Sequence, residues 1–356
     1  MNSRLFSLIL ACTALGLAPV AASPFLITQL PTQSGNVTWS VAYDINNAGQ
    51  IVGTEQLSGG PLLPVMWSGG SLQVLWSTAG TFQNLANSIS TDGKVLIDGC
   101  LVYPHCGYVW NAGVSTQLAE APGGSFAGVT QINDDGMAAG SIYFSGFGQR
   151  PVRLTTSGID VLGSTQGAAW GINRDGQTTG WAYNSSGRQQ GFFYDGTNFT
   201  ILTTPNGEQS SFGLAINDAG AVLVGANDPF SVDAYRYYLY QGGTWTLLTT
   251  AQYIGFGSQY RLNEQGQFSG YVHYWDGVKL WNANELSTAS TTVQGLYGLN
   301  DVGQVVGYGY DNDNFQRRSL LFSSVPEPAT VMQGLAGLVL VIFFRIGKRK
   351  RITEAI

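Results

Sequence analysis

The amino-acid sequence predicts an all-β protein, a seven-bladed β-propeller built from four-stranded repeats. The chain has 356 residues, of which 48 are glycine, 12% are aromatic and only 11% are charged, a composition typical of short strands and tight turns. One motif occurs seven times at intervals of 37 to 46 residues. A second hairpin lies between successive motifs, so each repeat holds about four strands, as in a propeller blade. An open β-solenoid or two stacked sandwiches is the alternative architecture.

The repeated motif begins with an apolar residue followed by an anchor residue, usually Asn, and then by two residues and a glycine, as in "AYDINNAGQIVGT", Ala42 to Thr54. A degenerate copy has serine at the anchor. Asn at the first position and Gly at the fourth predict a type I turn with the glycine at positive φ and a G1 bulge. We expect the following strand to end at a second glycine, such as Gly53 or Gly180. The anchors are Asn46, Ser90, Asn133, Asn173, Asn217, Asn263 and Asn300, and the turn glycines are Gly49, Gly136, Gly176, Gly220, Gly266 and Gly303.

The second hairpin of each repeat has the form strand, glycine-containing turn, strand, as in "PVMWSGGSLQVL", "YVWNAGVSTQL", "VRLTTSGIDVL", "FFYDGTNFTIL" and "YYLYQGGTWTLL". The last repeat lacks its fourth strand, and residues Phe25 to Leu30 form an additional strand before the first repeat. We therefore predict that the N-terminal strand completes the seventh blade and covers its open edge.

The N-terminal segment, residues 1–22, has the pattern of a secretory signal peptide. Arg4 precedes an apolar run from Leu5 to Leu17, and small residues end the segment at Ala22. A buried helix and lipidation at Cys12 are the alternatives. Residues 23–324 form the predicted propeller domain.

Two cysteines, Cys100 and Cys106, remain after the predicted cleavage. An even number of cysteines in an exported chain predicts a disulfide, with two free thiols as the alternative. A metal site that uses His105 between them is disfavoured by the spacing.

The C-terminal segment, residues 325–351, has three parts. Val325-Pro326-Glu327-Pro328 is stiff and extended because proline restricts its own φ and its neighbour. An apolar run over residues 331–344 predicts a transmembrane segment, although it is shorter than an average span. The basic cluster that follows predicts a cytoplasmic flank. Its members are Arg345, Lys348, Arg349, Lys350 and Arg351.

This three-part ending resembles the PEP-CTERM sorting signal of Gram-negative bacteria. The resemblance implies recognition and cleavage near Pro-Glu-Pro by an exosortase-type membrane enzyme. It also implies delivery to the cell surface or extracellular matrix, often together with exopolysaccharide. The alternative is a membrane anchor that is never cleaved. The repeats resemble the extracellular HAF-type repeats of bacterial surface proteins, a resemblance that identifies the repeat and not its function.

The charge pattern excludes one class of partner. The chain carries a net charge of −6 although much of its basic charge lies in the tail, so the repeat body is strongly acidic. A body of this charge does not bind nucleic acid by neutralising phosphates.

The sequence contains no convincing catalytic set. The two histidines, His105 and His273, do not form part of an evident Ser-His-Asp triad, and we interpret His273 as a strand residue. Asp134 and Asp135 occupy variable turn positions, although paired carboxylates are what a glycoside hydrolase requires. The segment Tyr310 to Phe315, "YDNDNF", is predicted to be a polar loop, with Ca²⁺ binding as the alternative. No metal site is predicted.

The aromatic residues suggest two roles. Those at equivalent places in the second hairpin are predicted to pack within or between blades; they are Trp67, Trp110, Tyr194 and Tyr240. Another group is a hypothetical sugar-stacking surface, formed by Trp170, Trp181, Tyr237 and Trp275. The sequence thus predicts an exported, surface-sorted, non-enzymatic repeat protein that contacts matrix carbohydrate or protein. The alternative is a secreted glycan hydrolase on a propeller scaffold.

Overall fold

The computed structural model describes residues 25–33, 37–76, 84–99, 107–227, 234–252, 257 and 259–325. Residues Ile27–Ser323 form a compact unit. This unit consists of seven four-stranded antiparallel sheets arranged as a ring of blades. The predicted seven-bladed β-propeller is therefore confirmed.

The strands follow the predicted repeat. Blades 1 to 3 contain β2 (Val37–Ile45), β3 (Ile51–Leu57), β4 (Leu62–Ser68) and β5 (Ser71–Val74); β6 (Leu85–Ile89), β7 (Val95–Asp98), β8 (Gly107–Asn111) and β9 (Val114–Gln117); and β10 (Gly124–Ile132), β11 (Ala138–Phe144), β12 (Gly148–Leu154) and β13 (Ile159–Val161). Blades 4 to 6 contain β14 (Gly167–Ile172), β15 (Thr178–Tyr183), β16 (Gln189–Tyr194) and β17 (Phe199–Ile201); β18 (Ser211–Ile216), β19 (Val222–Asn227), β20 (Ala234–Gln241) and β21 (Thr244–Gln252); and β22 (Tyr260–Leu262), β23 (Phe268–Gly270), β24 (His273–Trp275) and β25 (Leu280–Asn282). A short helix, α1 (Ala283–Leu286), follows blade 6.

The seventh blade is completed by the N-terminal strand, as predicted. It contains β26 (Thr291–Leu299), β27 (Val305–Asp311) and β28 (Arg317–Ser324), with β1 (Phe25–Gln29) beside β28. Just after β1, the Leu30 N–H donates to the Ser319 carbonyl at 3.0 Å. The two ends of the repeat region are thus joined in one sheet.

The two ends of each blade differ in the regularity of their connections. The connection between the first and second strands always has five residues, namely 46–50, 90–94, 133–137, 173–177, 217–221, 263–267 and 300–304. The connection between the second and third strands lies at the opposite end and ranges from two residues (271–272) to eight (99–106). The propeller therefore has a uniform-turn face and a variable-loop face.

The uniform turns have the geometry that the motif predicts. In the first, the Asn46 N–H donates to the Gln50 carbonyl and the Gly49 N–H donates to the Asn46 carbonyl, both at 3.0 Å. Gly49 has φ of 74°, a conformation that glycine adopts without strain. The degenerate copy at Ser90 makes the same two backbone bonds.

The second glycine ends its strand in blade 6, where β23 ends at Gly270 as expected, but the expectation was wrong for Gly53, Gly140, Gly180 and Gly307. Strand β3 continues past Gly53 to Leu57, and β15 continues past Gly180 to Tyr183. A Cβ on Gly53 would overlap the Val41 carbonyl oxygen of the preceding strand. The strand register shifts beside this contact. Glycine is thus required because a β-bulge in the inner strand brings two backbones together.

The hydrophobic core lies mainly between neighbouring blades. Trp67 and Trp110 are buried in separate core clusters, and Tyr194 and Tyr240 pack against two others, which confirms the packing role predicted for them. Tyr237 is also buried, with 1% of its surface exposed. Its ring stacks on Phe268 of blade 6 with ring centroids 5.1 Å apart. The hypothesis that Tyr237 stacks on sugars was therefore wrong.

Several predicted features lie outside the described residues. They are the signal peptide (residues 1–22), the cysteines Cys100 and Cys106, His105, and the sorting signal from Pro326 onward. Val325, its first residue, is described and is 47% exposed. Within the described ranges, none of the helical structure has the length and apolar character that a membrane crossing requires.

Candidate functional site

The anchor residues form a hydrogen-bonded ring around the axis of the propeller. The Asn173 Nδ2 donates to the Asn217 carbonyl of the next blade at 3.0 Å. Equivalent bonds of 3.1 to 3.3 Å link five further pairs. These pairs are Asn46 to Ser90, Asn133 to Asn173, Asn217 to Asn263, Asn263 to Asn300, and Asn300 to Asn46. The anchor is therefore both a turn residue and an inter-blade connector, a role that the sequence alone did not indicate.

Blade 2 departs from the ring because its anchor is Ser90. The Ser90 Oγ accepts the Lys94 N–H at 2.9 Å, as the Asn173 Oδ1 accepts the Gln177 N–H. A serine side chain is too short to extend to the next blade. Lys94 makes the link instead, because its Nζ donates to the Asp134 carbonyl of blade 3 at 2.7 Å.

A second ring, the mouth ring, lies one residue after the anchors on the uniform-turn face. Here a backbone N–H donates to a side-chain oxygen of the next blade, as in Asp218 to Glu264 at 2.6 Å and Glu264 to Asp301 at 2.9 Å. The Arg174 guanidinium contacts Asp218 at 2.6 Å. The mouth ring is Asn47, Thr91, Asp134, Arg174, Asp218, Glu264 and Asp301. It borders a cavity of about 120 Å³ on the axis.

A buried ion pair crosses the axis two residues before the anchors. Arg261 Nε and Nη2 donate to the two carboxylate oxygens of Asp44 at 3.0 and 3.1 Å, although the residues belong to blades 6 and 1. Blade 7 lies between them and has Gly298 at the equivalent position, where a Cβ would be 2.6 Å from the Asp44 Cα. Ser88 Oγ and the Ile89 N–H also donate to Asp44, at 2.8 and 3.1 Å. The ion pair is bidentate, and further hydrogen bonds from protein groups compensate the carboxylate for its loss of water, as burial of charge requires.

In five of the seven blades, the residue three before the anchor lies at a β-bulge and lines a central cavity. Register shifts occur at this point in the inner strands of blades 1, 2, 3, 4, 5 and 7, and a β-bulge changes the direction of a side chain. Five of the residues at this position line one cavity, and they are Tyr43, Asn87, Thr130, Trp170 and Tyr297.

This cavity, which we call the channel cavity, measures about 370 Å³. Its lining includes Leu85, Asp98 and Gln259, which lie at strand ends that face the variable loops. Arg261 borders both this cavity and the smaller one beside the mouth ring. Asp44 borders the smaller cavity, so the Asp44–Arg261 pair lies where the linings of the two cavities meet.

The aromatic lining residues are neutral hydrogen-bonding groups. Tyr43 and Tyr297 stack with ring centroids 5.8 Å apart. Burial raises the pKa of Tyr43 to about 12, against the opposing effect of Arg317, and burial also raises the pKa of Tyr297. Trp170 is half-buried and stacks on Phe212, with centroids 5.8 Å apart. The cavity thus combines aromatic surface with the amides of Asn87 and Gln259.

The remaining sugar-stacking candidates lie away from the channel cavity. Trp181 packs edge-on against Tyr183 with centroids 5.6 Å apart, and Trp275 packs against the core cluster shared by blades 5 and 6. Trp170 is thus the member of the proposed aromatic set that the channel cavity contains.

The candidate catalytic and metal residues form no compact set in the described part of the chain. Asp134 belongs to the mouth ring, whereas the Asp135 N–H serves its own turn by donating to Asn133. His273 is 7% exposed within β24, and burial lowers its pKa to about 4. In the segment from Tyr310 to Phe315, Asp311 Oδ1 accepts the Asp313 N–H at 2.9 Å, as in a polar loop. No group of three or more His, Cys, Asp or Glu side chains suited to a metal ion occurs among the described residues.

Comparison with known proteins identifies no family. No family model matches the chain, and no curated protein matches it. Among solved structures, TolB from Acinetobacter baumannii is similar with a TM-score of 0.47 and 13% identity, over 82% of this chain and 66% of that one. YCF48 from Cyanidioschyzon merolae gives a TM-score of 0.46 and 11% identity, over 83% and 98%. Trypanosoma rangeli sialidase gives 0.39 and 10%, over 85% and 59%. These similarities concern the fold alone.

Proposed function

We propose that this chain is an exported, non-enzymatic propeller protein that binds carbohydrate through its channel cavity at the cell surface or in the extracellular matrix. The observation that carries the proposal is the lining of that cavity, where Tyr43, Trp170 and Tyr297 lie among amide and hydroxyl side chains. Sugar rings present apolar C–H faces and many hydroxyls. Such a ligand is complemented by aromatic surface with a few directed polar groups.

The rigid frame supports a binding role. The anchor bonds and the Asp44–Arg261 pair hold the inner strands in place before any ligand arrives. Pre-organised groups lose little conformational entropy on binding, so they favour affinity.

The arrangement of carboxylates favours binding over hydrolysis. The channel cavity is lined by one carboxylate, that of Asp98, among the described residues. The Asp44 carboxylate is held by Arg261 behind the cavity wall. Glycoside hydrolysis generally requires two carboxyl groups on either side of the scissile bond.

Export and surface sorting are supported by the two terminal segments of the sequence. The signal-peptide pattern of residues 1–22 accounts for export, and the tail from Val325 to Arg351 accounts for handling by an exosortase-type enzyme. Intact mass measurement of the protein from its host tests this part. We expect the released protein to end near Pro326–Pro328; a released or surface form that keeps Ile356 would contradict it.

The binding proposal is tested with exopolysaccharide from the host. The purified protein is titrated with the polymer while tryptophan fluorescence and the release of reducing ends are measured. We expect saturable binding without turnover, and we expect Trp170→Ala to weaken it. Trp181→Ala is the matched control, because Trp181 lies in the same blade but outside the cavity. Turnover by the wild type would favour the hydrolase alternative, and equal binding by the two variants would remove the channel cavity from the site.

A further inference from the structure

We infer that Arg317 is the centre of an anion-binding subsite beside the channel cavity, which recognises the carboxylate of a uronic acid in a glycan. This inference rests on the proposed function and adds the class of sugar that the protein selects. The subsite, which we call the arginine subsite, consists of Arg317, Trp39, Tyr308 and Tyr310.

Aromatic rings from two blades surround the guanidinium of Arg317. Its Cζ lies 4.6 Å from the ring centroid of Tyr308, 5.7 Å from that of Tyr310 and 5.4 Å from that of Trp39, distances at which a ring attracts a cation. Trp39 belongs to β2 of blade 1, whereas the tyrosines belong to β27 of blade 7. Arg317 begins β28, directly after a connection on the variable-loop face. All four side chains are partly exposed, so a ligand at that face can reach them.

The positive charge of Arg317 is not matched by a carboxylate. No acidic side chain forms an ion pair with Arg317 in the part of the chain that the structure describes. Asp311, at the other end of the connection, is engaged within it, because its two carboxylate oxygens accept the Asp313 N–H at 2.9 Å and the Asn314 Nδ2 at 3.1 Å. Aromatic rings carry no net charge, so the subsite remains cationic.

The guanidinium also has hydrogen-bond donors to spare. It holds five N–H groups, and among the described residues Arg317 donates one hydrogen bond from them, from Nη2 to the Tyr310 Oη at 3.2 Å. Its Nε is buried without an acceptor, which is unfavourable until an acceptor is supplied. Tyr310 thus orients the planar fork and leaves donors for a carboxylate, the group that arginine binds in a bidentate manner.

A stack of tyrosines connects the arginine subsite to the channel cavity. Tyr43 and Tyr297 line the cavity, and Tyr297 stacks in turn on Tyr308 with ring centroids 5.8 Å apart. Burial raises the pKa of Tyr43 to about 12, and the charge of Arg317 acts in the opposite direction, which reflects its proximity to the cavity wall. A neutral sugar in the cavity and a uronic acid on Arg317 can therefore belong to one glycan chain.

The loop before Arg317 presents a further apolar ring at the same face. Phe315 is 80% exposed and has a φ of 55°, a left-handed conformation that a bulky residue adopts at a cost in energy. Its N–H donates to the Asp311 carbonyl at 2.8 Å, which holds this conformation. An exposed ring two residues before a cation suits a ligand that combines an apolar ring face with a carboxylate.

The other charges of this region do not provide an equivalent site. Arg261 is bound by both carboxylate oxygens of Asp44, and Arg318 donates to a backbone carbonyl of blade 1 at 3.0 Å. Asp98 lines the cavity from blade 2, whereas Arg317 lies in blade 7. The chain as a whole carries a net charge of −6, which repels an acidic glycan at long range. A preference for a carboxylate must therefore come from a local cation.

The test compares acidic oligosaccharides with the same molecules after their charge is removed. The probes are galacturonic, glucuronic and mannuronic acid oligosaccharides of two to four residues, together with their methyl esters, which keep the ring and the chain length. Full-length protein in detergent is titrated with each probe by isothermal titration calorimetry. We expect at least one acidic series to bind at least about tenfold more tightly than its ester, because a hydrogen bond to a charged acceptor is stronger than a neutral one.

Three variants assign this preference to the arginine subsite. Arg317→Gln should bind acid and ester within about twofold of each other. Arg317→Lys keeps the charge but not the planar fork, so it should reduce the preference at least about threefold, and it replaces the glutamine variant if that variant does not fold. Arg188→Gln is the matched control and should keep the full preference, because Arg188 is exposed at the end of the corresponding connection in blade 4. Circular dichroism confirms that each variant is folded.

The remaining outcomes distinguish this inference from the function on which it rests. Esters that bind as tightly as their acids, a preference that survives in Arg317→Gln, or failure of every acidic series to bind would each overturn the arginine subsite. Binding of the host exopolysaccharide that is weakened by Trp170→Ala would, in that case, leave the proposed function intact. Failure of every probe and of the host exopolysaccharide to bind would overturn both.

Discussion

Replacement of Asn173 separates the two roles of an anchor residue. The Asn173 Nδ2 donates to the Asn217 carbonyl at 3.0 Å and to Gln177 Oε1 at 2.8 Å, while its Oδ1 accepts the Gln177 N–H at 2.9 Å. Asn173→Ser keeps an acceptor for the turn, as Ser90 does in blade 2, and removes the inter-blade bond. Asn173→Ala removes both functions.

The expected losses of stability follow from the groups left behind. The Asn217 carbonyl still accepts the Gly220 N–H at 3.0 Å, so the serine variant should lose about 1–2 kcal/mol, the net value of one or two hydrogen bonds. The alanine variant also leaves the Gln177 N–H without its acceptor. Its total loss should be about 2–4 kcal/mol, because an unsatisfied buried donor costs more than an average hydrogen bond contributes.

Urea unfolding monitored by tryptophan fluorescence measures these differences. Asn184 is the matched control, since its Oδ1 accepts the Ser186 and Arg188 N–H groups in a similar turn between the second and third strands of the same blade. Asn184→Ser should change the free energy of unfolding by less than about 0.5 kcal/mol. If Asn173→Ser were no more destabilising than Asn184→Ser, the inter-blade ring would not contribute to stability and the reasoning would be refuted.

Three further predictions concern the packing and electrostatics of the propeller. Gly53→Ala should destabilise the protein by more than about 2 kcal/mol because its Cβ would overlap the Val41 carbonyl oxygen. Gly69→Ala should cost only about 1 kcal/mol, because Gly69 has a φ of 56° but lies in open space. Urea unfolding of both variants measures the difference. Arg261→Met should cost about 3–5 kcal/mol by leaving Asp44 unpaired, and addition of Asp44→Asn should recover part of that loss in the same assay. His273 has a folded-state pKa of about 4, below its ordinary value of 6.5, so the unfolded state binds its proton first as the pH falls. The neutral His273 contributes fully to the free energy of unfolding above pH 6.5. This contribution falls between pH 6.5 and about 4, by up to about 1.4 kcal/mol per pH unit. His273→Phe should remove this pH dependence from the free energy of unfolding measured across that range.

The repeat architecture was predictable because it is encoded locally seven times. Each motif specifies its own turn through an anchor side chain and a glycine, and the missing last strand indicated that Phe25–Leu30 completes blade 7. In four blades, the second glycine was misinterpreted as the end of a strand. Its actual cause is the close approach of Val41 to Gly53 across a bulge, and a bulge leaves no composition signature of its own.

The candidate site was less predictable because it depends on residues far apart in sequence. Asp44 and Arg261 are 217 positions apart in sequence. The residues on either side of each of them give no sign that the two form an ion pair. Alignment of the repeats within the chain provides the missing clue. Two positions before the anchor, blade 1 alone has an acid and blade 6 alone has a base, which is the pattern expected of a single cross-axis pair.

The joining of β1 to β28 in one sheet has a consequence for how the molecule reaches its folded state. The chain is synthesised from its N-terminus, so β1 (Phe25–Gln29) can pair only after residues 317–324 have been made, nearly the whole length of the propeller later. Until then, the partly assembled ring has exposed strand edges at both ends, which are prone to pairing with other chains. Closure of the ring is thus a late, long-range step, and it makes folding slow relative to the formation of each blade.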